Sequence, residues 1–133
     1  MFPADIEDVA DRLLKACRAR DLWVTTAESC TGGLLGAALT CAPGTSEVFD
    51  RGFITYSNAA KEKAGADIGI GVTGVAGPGG GSEGKPVGLV HFGLALRDGS
   101  VVHHEKRFGD LGRDQVRLEA VRFGLQLLIE AAS

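Results

Sequence analysis

No run in this chain is apolar for the roughly 18 residues that a membrane-spanning helix needs, so nothing in it reads as a helical anchor. Residues 1–14, MFPADIEDVADRLL, carry acids where a secretory signal would carry positive charge, and the expected location is the cytoplasm. Cysteine is scarce. Cys17, Cys30 and Cys41 are odd in number and lack metal-type spacing, so they read as reduced thiols rather than as a disulfide framework. A large excess of either charge is also missing. A net charge of -3, spread without long runs, provides no general attraction to nucleic acid or to an anionic membrane. Neither is expected as a partner, and any phosphate site must be local. There is no G-x-S-x-G elbow, no Walker loop, and no clean G-x-G-x-x-G opening a long helix.

What is present reads as one globular domain. The 133 residues suffice to bury a core, and apolar and charged contents are ordinary. Ile6, Val9, Leu13 and Cys17 recur at helical spacing and predict a helix over residues 3 to about 20. Its acids lie early and its arginines late, as the helix dipole favours. LWVTTA, residues 22–27, predicts a buried strand. ESCTGG is a turn, a second helix runs to Thr40, and residues 41–46 form another turn. Strands follow at 49–56 and 68–73, then a glycine-rich loop. Residues 87–96 and 101–107 read as a hairpin closed by Asp98-Gly99. A last helix, 113–131, buries Val116, Ala120, Val121, Leu127 and Leu128. Helices interleaved with strands, plus one hairpin, imply an α/β sandwich with a mixed β-sheet.

Four stretches can carry chemistry. In TAESCTGG, residues 26–33, a strand ends, Ser29 sits at the turn and a helix begins. Backbone N–H groups there could hold an oxyanion; the plainer reading is that Ser29 or Thr31 caps the helix. In RGFITYSNAAK, residues 51–61, Tyr56, Asn58 and Lys61 follow a strand. A lysine deprotonates a serine only when neutral, which requires its pKa to fall well below about 10.4. The plainer reading of Lys61 is a solvated lysine. In the stretch 71–88, glycines let the backbone approach a ligand and its N–H groups bind phosphate, unless it is only a surface loop. Arg113 and Arg117, four apart at a helix start, share a face and could clamp a phosphate. His91, His103 and His104 form no metal pattern and read as structural; neighbours in a strand, His103 and His104 point to opposite faces.

The order and wording of these stretches are more specific than any one of them. TAESCTGG, PGTSEVFDRGFITYSNAAK, GVTGVAGPGGGSEGKPVGLVHFGLA and FGDLGRDQVR closely resemble the C-terminal domain of the competence/damage-inducible protein CinA. Stand-alone versions of that domain are nicotinamide mononucleotide deamidases. The resemblance implies a three-layer α/β/α sandwich. It also implies hydrolysis of the carboxamide to ammonia and nicotinate mononucleotide, with no metal or other cofactor. It makes Ser29 the nucleophile and Lys61 the base, with Tyr56 beside them. Cys30, Thr31, Gly32, Asn58, Thr73, Gly74, Gly77, Gly79, Gly80 and Arg113 match positions that line the nucleotide site. The expected partners are a small pyridine nucleotide and further copies of the same chain, as a homo-oligomer.

One feature departs from the family pattern. There, roughly thirty more residues, holding a Gly-Ala-Val-Ser turn and a helix, separate the YSN-x-x-K motif from the strand leading into the glycine loop. Here Lys63 runs almost directly into GADIGIGVTG. Either a helix is lost, or the sequence skips a disordered stretch. A lost helix would bare part of the sheet, which favours the second. The rival functional reading is a binding module that keeps the pocket without turnover. A cysteine hydrolase using Cys30 is a third reading, and no histidine is placed by sequence to serve it.

Overall fold

A computed structural model describes residues 1–54 and 67–133. Its elements follow the hydrophobic periodicity closely. Helix α1 (Ala4–Ala19) begins just after Pro3, with Asp5 and Glu7 in its first turn and Arg18 in its last. Strand β1 (Val24–Glu28) leads through the Ser29–Gly33 turn into α2 (Leu34–Thr40). The expected turn at 41–46 runs into a short 3-10 helix, Thr45–Glu47, and then β2 (Phe49–Ile54). The last two residues of the strand expected at 49–56 lie outside the described residues; from 67 on come β3 (Ile68–Gly74), β4 (Leu89–Ala95), β5 (Val101–Arg107) and α3 (Arg113–Ala132). The hairpin turns where expected: Gly99 donates its N–H to the Leu96 carbonyl and Leu96 donates to Ser100.

The five strands form one mixed sheet in the order β2-β1-β3-β4-β5. β2, β1 and β3 run parallel, and β4 and β5 are antiparallel additions. The strand expected to be buried at 22–27 is buried on one face only. Val24, Thr26 and Glu28 point into the core while Thr25 and Ala27 are half-buried on the other face. The register carries that division across the sheet. Val24 and Thr26 lie beside Ile68 and Ile70, and Val72 lies beside Phe92.

The described helices all serve the face of Val24, Ile70 and Phe92. α2 packs on β1 and β2, α3 on β3 and β4, and α1 on α3 and α2. α3 is therefore covered on most sides, and its buried residues include all five expected ones together with Gly124, Leu125, Ile129 and Ala132. Arg122 fastens α3 to α1 through Asp5 at 2.6 Å and also bonds Glu119 at 2.7 Å. The α/β sandwich on a mixed sheet is as expected. A second helical layer, the third of the expected sandwich, is not among the described residues. The opposite sheet face carries Gly69, Gly71 and Gly93 beside Thr25 and Ala27.

Candidate active site

The parallel strands β1, β2 and β3 end on the same side of the sheet, and Ser29, Thr73 and Gly74 lie at or just beyond those ends. Glu28, the last residue of β1, is level with Ile54 on one side and Val72 on the other. The next residue, Ser29, donates its N–H to the Val72 carbonyl at 2.9 Å, which extends the β1–β3 ladder by one bond. Ser29 is half-buried. Its carbonyl accepts the Gly32 N–H at 2.9 Å and closes a tight turn. Gly32 has φ +57°, in the left-handed region that glycine adopts without penalty.

The turn does not work as a side-chain cap. The residue before α2 is Gly33, and no cap hydroxyl bonds the helix. Glu28 takes that role instead. Only 1% exposed, its carboxylate accepts the N–H of Leu35 at 2.8 Å and of Gly36 at 2.9 Å. This corrects the picture of a helix start with open donors, because a negative group within the protein already satisfies the first turn of α2. Leu34 donates to the Thr31 carbonyl. Among the described residues, no backbone carbonyl accepts the N–H of Cys30, Thr31 or Gly33, and that of Cys30 faces its own thiol. Cys30 and Thr31 are buried and Gly33 half-buried, so the Gly33 amide, rather than the helix proper, is the donor that faces outward for a bound oxygen. The sequence offered no sign of Glu28's role, since a carboxylate seven residues ahead of its partner matches no capping pattern.

Cys30 is beside Ser29 but is chemically quiet. Burial pushes its thiol up to about 11, outweighing the lowering by its own backbone N–H and by Arg117 and Arg113. A thiol so protonated is a poor nucleophile at neutral pH. Thr31 is fully buried, and its hydroxyl has no partner among the described residues.

Helix α3 ties this turn to the glycine loop. Arg113, exposed at its first turn, donates Nη1 to the Gly77 carbonyl at 3.1 Å. Arg117, four residues on, donates Nη2 to the Thr31 carbonyl at 3.2 Å. The shared face read from the sequence thus meets two different loops. Thr73 is exposed at the end of β3 and opposite His91. Gly74 is a packing glycine, since a Cβ there would lie 2.5 Å from the Leu89 carbonyl oxygen. Gly77 is buried, whereas Gly79 and Gly80 are exposed with open space beside them.

His91 and His103 stack on the sheet face away from the helices, their Nδ1 and Nε2 3.2 Å apart, while His104 packs edge-on against Phe123. The two neighbours in β5 do point to opposite faces. Among the described residues no three His, Cys, Asp or Glu side chains cluster as metal ligands. Nor is any described helix long and apolar enough to cross a membrane. Tyr56, Asn58 and Lys61 lie outside the described residues. The chain enters their stretch from Ile54, whose side chain would meet a Cβ on Gly33 at 3.1 Å.

Fold and turn together define a mixed α/β domain that offers a serine at a strand-to-helix turn, with two arginines of the last helix reaching its loops. The chain belongs to the CinA C-terminal domain family, whose model matches residues 6–64 and 59–132. The match comes in two pieces that overlap over residues 59–64, at the short junction. The chain is similar to the nicotinamide-nucleotide amidohydrolase PncC of Enterobacter agglomerans, with 44% identity over 142 aligned positions covering 84% of this chain and 85% of that protein. It is also similar to a CinA-like protein of Synechococcus sp. (strain RCC307), with 41% identity over 158 positions. That alignment covers 96% of this chain and 38% of the longer relative. The crystal structure of the competence/damage inducible protein CihA from Agrobacterium tumefaciens superposes with a TM-score of 0.94 at 42% identity, covering 100% of this chain and 99% of that one.

Proposed function

We propose that this chain hydrolyses the carboxamide of nicotinamide mononucleotide, releasing ammonia and nicotinate mononucleotide by a metal-independent Ser/Lys mechanism. The observation that carries the reading is the 44% identity to a protein named as a nicotinamide-nucleotide amidohydrolase, over 85% of its length. The serine at the β1–α2 turn supports it.

In this mechanism the Ser29 hydroxyl attacks the carboxamide carbon while neutral Lys61 takes its proton. Negative charge grows on the amide oxygen, which the backbone N–H of Gly33 in the turn receives. The carbon–nitrogen bond then breaks, and the proton held by Lys61 leaves with the ammonia. Water enters the same way, cleaves the acyl-serine and restores both groups. Tyr56 acts beside Ser29 and Lys61 in the catalytic group, and Asn58 and Thr73 contact the substrate. Arg113 binds the 5′-phosphate together with the backbone of the 77–81 loop, where Gly79 and Gly80 are exposed. We take the reaction to occur in the cytoplasm and the active form to be a homo-oligomer.

The direct test is ammonia release from nicotinamide mononucleotide by the purified protein, with Ser29→Ala as control. Release that vanishes in the variant is the expected result. A folded native protein that releases no ammonia overturns the reading.

A further inference from the structure

We infer that Arg117 is a positioning residue, holding the turn that presents Ser29 through one peptide unit, that between Thr31 and Gly32. The inference rests on the reading of Ser29 as nucleophile and adds a residue which that reading does not use.

Three bonds form the link. The Arg117 guanidinium donates to the Thr31 carbonyl at 3.2 Å. The other end of the same peptide unit, the Gly32 N–H, donates to the Ser29 carbonyl at 2.9 Å. Ser29 in turn donates its N–H to Val72 at 2.9 Å. A donor on a carbonyl polarises its amide and strengthens the N–H at the far end, so the first bond reinforces the second. The fit is also steric. A Cβ on Gly32 would stand 2.9 Å from Arg117 Nη2, so the guanidinium rests directly against the turn.

Fold stability alone accounts poorly for this arginine. Its Nε is buried and has no partner, and no carboxylate lies within ion-pair distance of it, both among the described residues. By contrast, Arg122 pairs with Asp5 and Glu119, and Arg18 with Glu47. Drawing a charge out of water without a counter-ion costs free energy. Arg117 therefore differs from Arg113 one turn earlier. Arg113 holds the glycine loop and serves binding, while Arg117 holds the nucleophile's turn and serves the rate.

The test reads Ser29 itself rather than turnover. Phenylmethanesulfonyl fluoride needs no phosphate contact and sulfonylates an activated serine with loss of fluoride, and the labelled residue is located by mass spectrometry. Arg117→Met keeps the apolar stem and removes the donor. It is expected to slow Ser29 labelling by about a hundredfold, the scale of a small misplacement of a reacting group, with an unchanged melting temperature. Arg117→Gln keeps a donor for the Thr31 carbonyl and should recover most of the rate. Labelling of Arg117→Met at the native rate overturns the inference, and so does a folded Arg117→Gln as slow as Arg117→Met. Failure of native protein to label at Ser29 removes the nucleophile reading, and this inference with it.

Discussion

Glu28 and Gly36 are joined by a 2.9 Å hydrogen bond from the helix backbone to a buried carboxylate, across the whole loop that carries the candidate nucleophile. With the matching bond from Leu35, it fixes the start of α2 against the end of β1. The positive end of the α2 dipole is thus met by the protein's own charge. A substrate oxygen must find its donors in the turn itself. The same carboxylate pins both ends of the Ser29–Gly33 turn, which keeps that turn in one shape.

Glu28→Ala should lower unfolding free energy by about 2–3 kcal/mol, the scale of a lost cap plus two charge-assisted bonds. Glu28→Gln retains one acceptor and should cost less. Urea denaturation of the three proteins measures both. Equal stability of Glu28→Ala and the native protein would show that the carboxylate is not the cap that holds α2.

Ser29→Ala should reduce ammonia release by about a thousandfold or more while the fold is kept, because covalent catalysis loses its attacking atom. Cys30→Ala should keep most of the activity. The reverse pattern would transfer the nucleophile to Cys30, against the burial that keeps its thiol protonated.

Arg113→Ala should raise KM for nicotinamide mononucleotide by about tenfold or more, the loss of a charge-assisted contact, and should leave KM for the dephosphorylated riboside nearly unchanged. Steady-state kinetics on both substrates decides the matter. Equal effects would remove phosphate binding as its role.

Lys61→Arg should be nearly as damaging as Lys61→Ala, since arginine stays protonated and accepts no proton. Both should depress kcat more than KM, because the proton moves in the transition state. An active Lys61→Arg enzyme would exclude Lys61 as the base.

Stability should fall in alkaline solution. Burial pushes the thiols of Cys17 and Cys30 up to about 11 in the folded chain. In the unfolded chain they titrate near 8.5. Between those values the unfolded state binds fewer protons, so unfolding free energy declines as pH rises. Their contribution is fully present below pH 8.5 or so and is lost as pH passes through the folded values. Cys17→Ala/Cys30→Ala should flatten that decline, as read by denaturation at a series of pH values.

Much of this molecule was legible along the chain. The spacing of Ile6, Leu13 and Cys17, and of Val116, Ala120 and Leu127, marks helices whose buried faces are those residues. Asp98-Gly99 marks a hairpin, and TAESCTGG marks a strand giving way to a turn and a helix. These signals act over a few residues, where backbone preference and hydrophobic period are enough. β1 was read as a buried strand because its run is β-rich, and the structure buries its alternate side chains against the helices while the others are half-buried. Which faces are covered depends on what else folds over them.

Serine, glycines and arginines were therefore candidates from the sequence, but their partners were not. Nothing local joins Arg117 to Thr31, 86 residues away, or Arg113 to Gly77, 36 residues away. Nor does it turn Glu28 from a strand's last residue into the cap of the next helix. The strand order β2-β1-β3-β4-β5 brings the parallel strand ends to one side of the sheet, and α3, packed on β3 and β4, sets its first two turns above them. Short-range chemistry determined which residues form each element. Only the close packing of the sheet and its helices, which closes loops across most of the chain, decided which of them meet.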